Sequence, residues 1–191
     1  MTAIPAAPEL HTERLLLKPL APEDAEQIQQ TFPRWEIVRY LVASVPWPYP
    51  PDAARHYVNN VALPAAAEGR GWFWTLRRRE APAQLIGVIC LLDEPDNNRG
   101  FWLAPEQQRQ GLMSEACRAV NDFWFTVLDR KVLRVAKAQA NDASRNLSNR
   151  SGMRLIRREK KQYVSGELDS EVWEITRDEW LQVKQGMAFK G

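Results

Sequence analysis

The segment QQRQGLMSEA, Gln107 to Ala116, lies between an apolar strand-like run and a long amphipathic helix, and holds one glycine, one arginine and no lysine, histidine or cysteine. Residues of these types at such a junction suit an anion. The first four N–H groups of a helix have no internal partner, and the aligned peptide dipoles add about half a positive charge there. A phosphate group can bind such an end without metal or lysine. Gly111 removes a Cβ where a pyrophosphate must approach the backbone, and Arg109 adds a cation. A plain structural turn explains a single loop of this kind equally well. Other phosphate loops are excluded by letter: the chain has no G-x-x-x-x-G-K-[ST], and no G-x-G-x-x-G after a strand. A metal site is not expected, because His11 and His56 are far apart and Cys90 and Cys117 lack ligand spacing. Both cysteines sit in apolar runs and read as small buried hydrophobes.

The elements that would position this loop follow from periodicity and punctuation. RLLLKPL (14–20) reads as a first strand, and Ala21 to Asp24 as a turn into an acidic helix start. SVPWPYPPD (44–52) is a proline-stiffened loop, after which Asp52 is expected to cap a helix broken at Pro64 and finished at Gly69. GWFWTLRRR and AQLIGVICLLD form a hairpin with the arginine run 77–79 at a solvated tip, and RGFWLAP a third strand of that set. Beyond the loop, Leu112, Ala116, Val120, Phe123, Trp124, Val127 and Leu128 repeat at a helical period. VLRVAKAQ alternates as a strand. NDASRNLSNRSG reads as a short helix with Asn141 as N-cap and Gly152 as its stop. A hairpin and a last helix close the chain. This order of elements is that of an α/β or α+β domain with a mixed sheet and helices upon it.

The bulk numbers agree with one domain spanning 1–191, with flexible ends at 1–12 and 183–191. Net charge is +2 from 26 basic and 24 acidic residues, so the chain shows no clustered excess of a nucleic-acid binder. RRRE and RREKK alone do not make one. The N-terminal residues lack a basic n-region followed by an apolar core, and no apolar run approaches about 20 residues. A cytoplasmic chain, monomer or homodimer, without a membrane partner is the expectation.

QQRQGLM resembles the [QR]-x-x-G-x-[GA] pyrophosphate loop of the GNAT superfamily of acetyl-CoA-dependent N-acetyltransferases, with Gln108 and Gly111 on its first two fixed positions and Met113 on the third. NDASRNLSNRSGM is similar to the N-x-x-S-(x)7-G-F signature of the Rim-type branch, the ribosomal-protein N-terminal acetyltransferases and their relatives. Asn141, Ser144 and Gly152 fall on it, with Met153 in place of Phe. HTERLLLKPLAPEDAEQI and EVWEITRDEW resemble the two ends of that branch, so the likeness runs in order along nearly the whole chain.

The resemblance implies a single-domain GNAT-like fold, with a central mixed, mostly antiparallel twisted sheet of about seven strands flanked by helices. It implies acetyl-CoA as substrate-cofactor, no metal, and direct transfer of an acetyl group to a primary amine. The cofactor would be held by Leu103, Gln108, Arg109, Gln110, Gly111, Leu112, Met113, Ser114 and Asn141. The edge of FWLA would pair with the pantetheine arm like an added strand, and the Leu103 backbone would act as an oxyanion-type donor. Ser144 matches the serine that the branch suggests as donor to the departing thiolate. Ser148 occupies the position at which many GNAT enzymes carry a tyrosine. Glu94, Glu106, Glu115, Asp169 and Glu171 are the carboxylates that could serve as base, each with an ordinary structural explanation beside it.

By analogy with the branch, VPWPYPP would cover the amine, with Trp47 and Tyr49 as a rigid aromatic wall that could equally pack on the sheet. The acceptor is either a protein N-terminal α-amine or a small-molecule amine such as an antibiotic, a polyamine or a toxic aminoacyl compound. A catalytically silent acyl-CoA-binding sensor is the rival from another class.

Overall fold

The run GWFWTLRR can be covered only from both sides, because successive side chains of a strand point to opposite faces. In the computed structural model, which describes residues 4–188, it forms β3 (Gly71–Arg78), with Trp72, Trp74 and Leu76 buried on one face and Phe73 on the other. β3 is the centre of a five-stranded antiparallel sheet with β1 (Leu10–His11), β2 (Leu15–Pro19), β4 (Ala81–Leu92) and β5 (Arg99–Leu103), in the order β1-β2-β3-β4-β5. A second antiparallel sheet, in the order β6-β8-β7, is built from β6 (Val132–Ala138), β7 (Arg154–Tyr163) and β8 (Gly166–Thr176). The expected α/β fold, mostly antiparallel and flanked by helices, is present, with eight strands divided between two sheets.

The division falls between β5 and β6, and Asn98 clasps them at one end. Its backbone N–H donates to the Arg134 carbonyl (2.7 Å), and its Oδ1 accepts from the Arg134 N–H (2.7 Å). Its Nδ2 reaches back to the Leu92 carbonyl (3.2 Å). Past this clasp no ladder pair joins the two strands among the described residues, and they part toward Leu103 and Ala138.

Helices cover both faces. α1 (Ala25–Thr31), α2 (Trp35–Val38), α3 (Ala53–Tyr57) and α4 (Leu63–Ala67) pack with Phe73, Leu85 and Val88. On the other face α5 (Leu112–Asp122), α6 (Asp142–Arg150) and α7 (Arg177–Ala188) enclose a core shared by both sheets, including Trp72, Trp74, Leu133 and Ile175. Burying each such side chain contributes about 1.5–3 kcal/mol.

Several local expectations change. The break at Pro64 is absent: a π turn, Val58–Ala62, carries α3 into α4, with the Leu63 N–H bonded to the Val58 carbonyl, and Pro64, which has no N–H to place, follows directly on that wider turn. Asp52 makes no side-chain cap; the Ala54 N–H is taken by Gln29 Oε1 (3.0 Å) from α1. A second π turn, Phe123–Val127, shifts the buried stripe by one residue, so Phe125 is buried while Val127 is half exposed.

The arginine run is not a solvated tip. Arg77 is buried, with Nη2 on Asp24 Oδ1 (2.7 Å), and Arg78 turns toward the loop after β5, leaving Arg79 exposed at the turn. Residues 4–12, expected as part of a flexible end, run along the sheet, where the Trp72 and Trp74 indole N–H groups donate to the Pro5 (2.8 Å) and Pro8 (2.7 Å) carbonyls. The other expected loose end continues α7 to Ala188, and residues 1–3 and 189–191 lie outside the described residues.

Candidate active site

β5 ends in a loop whose shape is braced from outside. Gln108 Nε2 donates to the Leu103 carbonyl (2.9 Å), and Arg14 Nη1 to the Gln110 carbonyl (2.8 Å). Arg78 donates to Gln107 Oε1 through Nε (3.1 Å) and Nη2 (3.0 Å), and also to Gln110 Oε1. Within this frame Arg109 (φ 61°) and Gly111 (φ 79°) are both left-handed. A Cβ on Gly111 would meet nothing closer than Arg14 Nη2 at 3.4 Å, so backbone conformation rather than crowding requires the glycine. α5 then starts directly on Gly111 with no side chain capping it, and the first internal bond is Glu115 N–H to the Gly111 carbonyl (3.1 Å). The amides of Leu112, Met113 and Ser114 are therefore open donors at the positive end of an 11-residue helix.

Glu115, one turn in, does more than complement that dipole. It is buried, and accepts from Thr12 Oγ1 (2.5 Å), from the Arg14 backbone N–H (2.7 Å) and from Arg14 Nε (2.8 Å). Burial pushes its carboxyl up, but these donors outweigh burial and hold it below the usual range. Glu115 thus locks Arg14, which in turn holds the loop at Gln110. It is a structural anion, not a base.

The open amides face a groove of about 820 Å³. One wall is β5 from Phe101 to Leu103 with the loop and α5 start; another is the α6 face, including Asn141, Ser144 and Leu147; the third is the segment Glu36–Leu41. Register makes β5 itself a donor edge. The Leu92 N–H donates to the Asn98 carbonyl (2.8 Å) and the Ala104 N–H to the Ile86 carbonyl (2.8 Å). In an antiparallel ladder bonded residues alternate, so Asn98, Gly100, Trp102 and Ala104 bond to β4. The amides of Phe101 and Leu103 then point away from β4, into the gap where β6 has parted. β5 is regular; the register shifts of this sheet lie between β3 and β4, opposite Ala81–Gly87. The gap comes from the splay, not from a bulge in β5.

On α6 the two candidate serines separate. Asn141 Oδ1 caps the helix through the Ser144 N–H (3.2 Å), and both residues line the groove. Ser148 is wholly buried and does not line it. Its Oγ accepts from Lys137 Nζ, which also donates to the Ser144 carbonyl (3.1 Å). Lys137 is itself 5% exposed, and burial, helped by Arg99, lowers its ammonium to about 7. Sequence reasoning missed this lysine, which its strand pattern presents as one polar position among apolar ones.

Other candidates fall outside. Gln110 faces Arg78 and Glu106 rather than the groove. Tyr49 packs on Phe32 (5.0 Å between rings), with burial raising its hydroxyl to about 12, and Trp47 stacks near Trp35 (5.6 Å). Neither lines the groove, because the proline loop folds onto α1 and α2 instead of over the β5 edge. Of the carboxylates considered, Glu106 pairs with Arg34 (2.6 Å) and Asp169 with Lys160 (2.9 Å). Burial pushes Glu171 up, but Arg145, Trp173 and Arg158 outweigh it and hold it low. Glu94, Glu106, Glu115, Asp169 and Glu171 are all absent from the groove lining, where Glu36 is the one carboxylate. Glu36, Arg39, Tyr40 and Arg150 were not legible beforehand. α2 is a single turn, too short for any periodicity to mark its face.

The chain is similar to known proteins in sequence and in fold. Residues 14–154 match the family model described as acetyltransferase (GNAT) domain. The uncharacterized N-acetyltransferase YoaA of Bacillus subtilis is 28% identical over 151 residues, 76% of this chain and 82% of that protein. Among solved structures, the ribosomal-protein-S5-alanine acetyltransferase of Vibrio fischeri superposes with a TM-score of 0.76 at 15% identity, over 91% of this chain and 98% of that one. Mycobacterium smegmatis RimJ, in complex with a CoA disulfide, does so with a TM-score of 0.75 at 15% identity, over 86% and 83%. These structural likenesses show a shared fold, and the family match covers the braced loop, the splayed strands and α6 together: the chain belongs to the GNAT acetyltransferase family.

Proposed function

We propose that the whole chain acts as one catalytic domain that moves an acetyl group from acetyl-CoA to a primary amine bound against Glu36–Leu41, with a protein N-terminal α-amine as the first acceptor to test. The observation that carries this is the continuity of open donors. The amides of Leu112 to Ser114 and those of Phe101 and Leu103 line one groove. That set fits a molecule with a pyrophosphate at one end and an amide-bearing arm at the other. Arg109 and Arg150 add cations on the groove wall.

Acetyl-CoA supplies an acyl group activated as a thioester. The residues of this chain then have distinct tasks. Leu112, Met113 and Ser114 hold phosphate oxygens by their N–H groups. Phe101 and Leu103 pair with the arm as a neighbouring strand would, and the Leu103 N–H is the donor placed to stabilise charge growing on a carbonyl oxygen. Ser144 holds a proton facing the groove, available to a leaving sulfur. Asn141 spends its oxygen on the helix cap, which fixes the turn that carries Ser144. Glu36 accepts a hydrogen bond from the incoming ammonium, which releases one proton to solvent. The neutral nitrogen then bonds to the acetyl carbon as the carbon–sulfur bond breaks, the sulfur takes the Ser144 proton, and the second proton of the nitrogen returns to Ser144 through water. Much of the rate then rests on orientation.

The similarity to ribosomal-protein acetyltransferases supports a protein N-terminus as acceptor; a small-molecule amine is the alternative within the same chemistry. Thiol release from acetyl-CoA, with mass analysis of each acceptor across N-terminal peptides, polyamines and aminoglycosides, tests the reading. Turnover with a peptide supports it. Binding of acetyl-CoA with no acetylated amine in any class would make the chain a sensor instead.

A further inference from the structure

On the reading that this groove is an acyltransferase site, its charges also select the acceptor. Its lining holds one carboxylate, Glu36, and three guanidinium groups, Arg39, Arg109 and Arg150, and none of the four is in an ion pair among the described residues. Neighbouring acids are already engaged: Glu106 by Arg34 (2.6 Å) and Asp142 by Arg145 (3.3 Å). Arg109 and Arg150 belong to the loop and to α6, at the phosphate end. Arg39 stands on the opposite wall, just past α2, with Glu36 three residues earlier and so on the same face of the turn.

That turn is held in place. The Ser165 N–H donates to the Arg39 carbonyl (3.2 Å) and the Val164 N–H to the Leu41 carbonyl (3.0 Å), tying it to the β7–β8 hairpin. The Arg39 guanidinium lies over the Tyr40 ring, 4.8 Å from its centre, a contact that orients the cation without neutralising it. A carboxylate and a guanidinium three residues apart thus line one fixed wall, each without an ionic partner among the described residues.

We propose that the acceptor is a primary amine with a carboxylate close beside it, the carboxylate received by Arg39 and the ammonium, before it loses its proton, by Glu36. Two sources share this chemistry: a free α-amino acid, and a peptide N-terminus with an acidic residue in its first positions. A polyamine or aminoglycoside would set several ammonium groups against three guanidinium groups and a single carboxylate, and like-charge contacts of that kind select against a ligand.

The test uses the full chain, acetyl-CoA, thiol release and acceptor mass. The acceptors are twin peptides that differ only in aspartate or lysine at positions two and three, free glutamate, and spermidine. The acidic twin should exceed the lysine twin by roughly tenfold in kcat/KM, the size of effect expected for one charge-assisted contact. Arg39→Glu should invert that preference and Arg39→Ala abolish it, with the KM for acetyl-CoA unchanged in both. Turnover of glutamate would assign the amino acid, and turnover of the acidic peptide alone the protein N-terminus. Equal rates for the twins, a preference that survives Arg39→Glu, or preferred turnover of spermidine would overturn the inference while leaving the acyltransferase intact. No acetylation of any amine, with acetyl-CoA still bound, would overturn both.

Discussion

Ser144 and Ser148 are one helical turn apart on α6 and meet different surroundings: the first lines the groove, the second is enclosed with Lys137. Removing each hydroxyl separates the roles. Ser144→Ala should lower kcat by roughly a hundredfold, the low end for a positioned proton donor, with acetyl-CoA affinity unchanged. Ser148→Ala should leave kcat within a few-fold and lower the melting temperature, since it takes an acceptor from a buried ammonium. The reverse pattern in steady-state kinetics would move the proton donor to Ser148. Lys137 makes its own prediction. Burial lowers it from 10.5 to about 7, so between those values the unfolded chain holds a proton that the folded chain has released. This lysine therefore makes stability rise with pH through that window, by up to about 1.4 kcal/mol per pH unit, while its full burial penalty is present below pH 7. In Lys137→Met that contribution should vanish. Denaturant unfolding of both proteins at pH 7, 8 and 9 checks it: the wild type should gain on the variant with rising pH, and parallel curves would contradict the assignment.

At the scale of elements, the groove depends on a clasp and a turn. Asn98 joins β5 to β6 by backbone and side chain together, and everything beyond it is free to splay. Asn98→Ala should destabilise the fold by about 1–3 kcal/mol, the cost of leaving buried partners unpaired, and should raise the KM for acetyl-CoA as the strands lose their fixed separation. Gly111→Ala has no clash to relieve but must hold a left-handed φ of 79°. About 1–2 kcal/mol of strain and a higher KM with little change in kcat are expected. A calorimetric Kd unchanged in that variant would show that the loop does not need this conformation. The turn was readable in the sequence because glycine before a periodic apolar run is a local signal, and Asn141 was readable because an N-cap is one too. The clasp was not: Asn98 sits in DEPDNN, which as a string is any polar turn, and its partner Arg134 is 36 residues away. The π turns were also unreadable, because a π turn differs from an α turn by one residue of phase, which shows only in which of Phe125 and Val127 is buried. Trp47 and Tyr49 misled for a related reason. Prolines fixed the stiffness of their loop but nothing local told which way it would fold.

For the whole molecule a net charge of +2 conceals an uneven surface. Arg109 on the loop and Arg150 on α6 are free of ion pairs among the described residues, whereas most surface acids are engaged. Raising ionic strength from about 0.05 M to about 0.5 M should therefore weaken acetyl-CoA capture several-fold, because the Debye length falls well below the groove's dimensions. Thermal stability, which rests on the two apolar cores, should barely move; equal loss of both would mean that salt acts on the fold and not on the site. The role proposed for the open amides at Phe101, Leu103 and Leu112 to Ser114 is acetyl transfer to an amine. The most direct measurement is acetyl transfer itself: incubation with acetyl-CoA and a peptide of free N-terminus, read at once as thiol released and as acetyl gained on the α-amine. One acetyl group on the peptide for each thiol released, strongly reduced in Ser144→Ala, is the predicted result. Thiol release without acetylated peptide, or acetyl-CoA held with neither product across peptide and small amines alike, would contradict it.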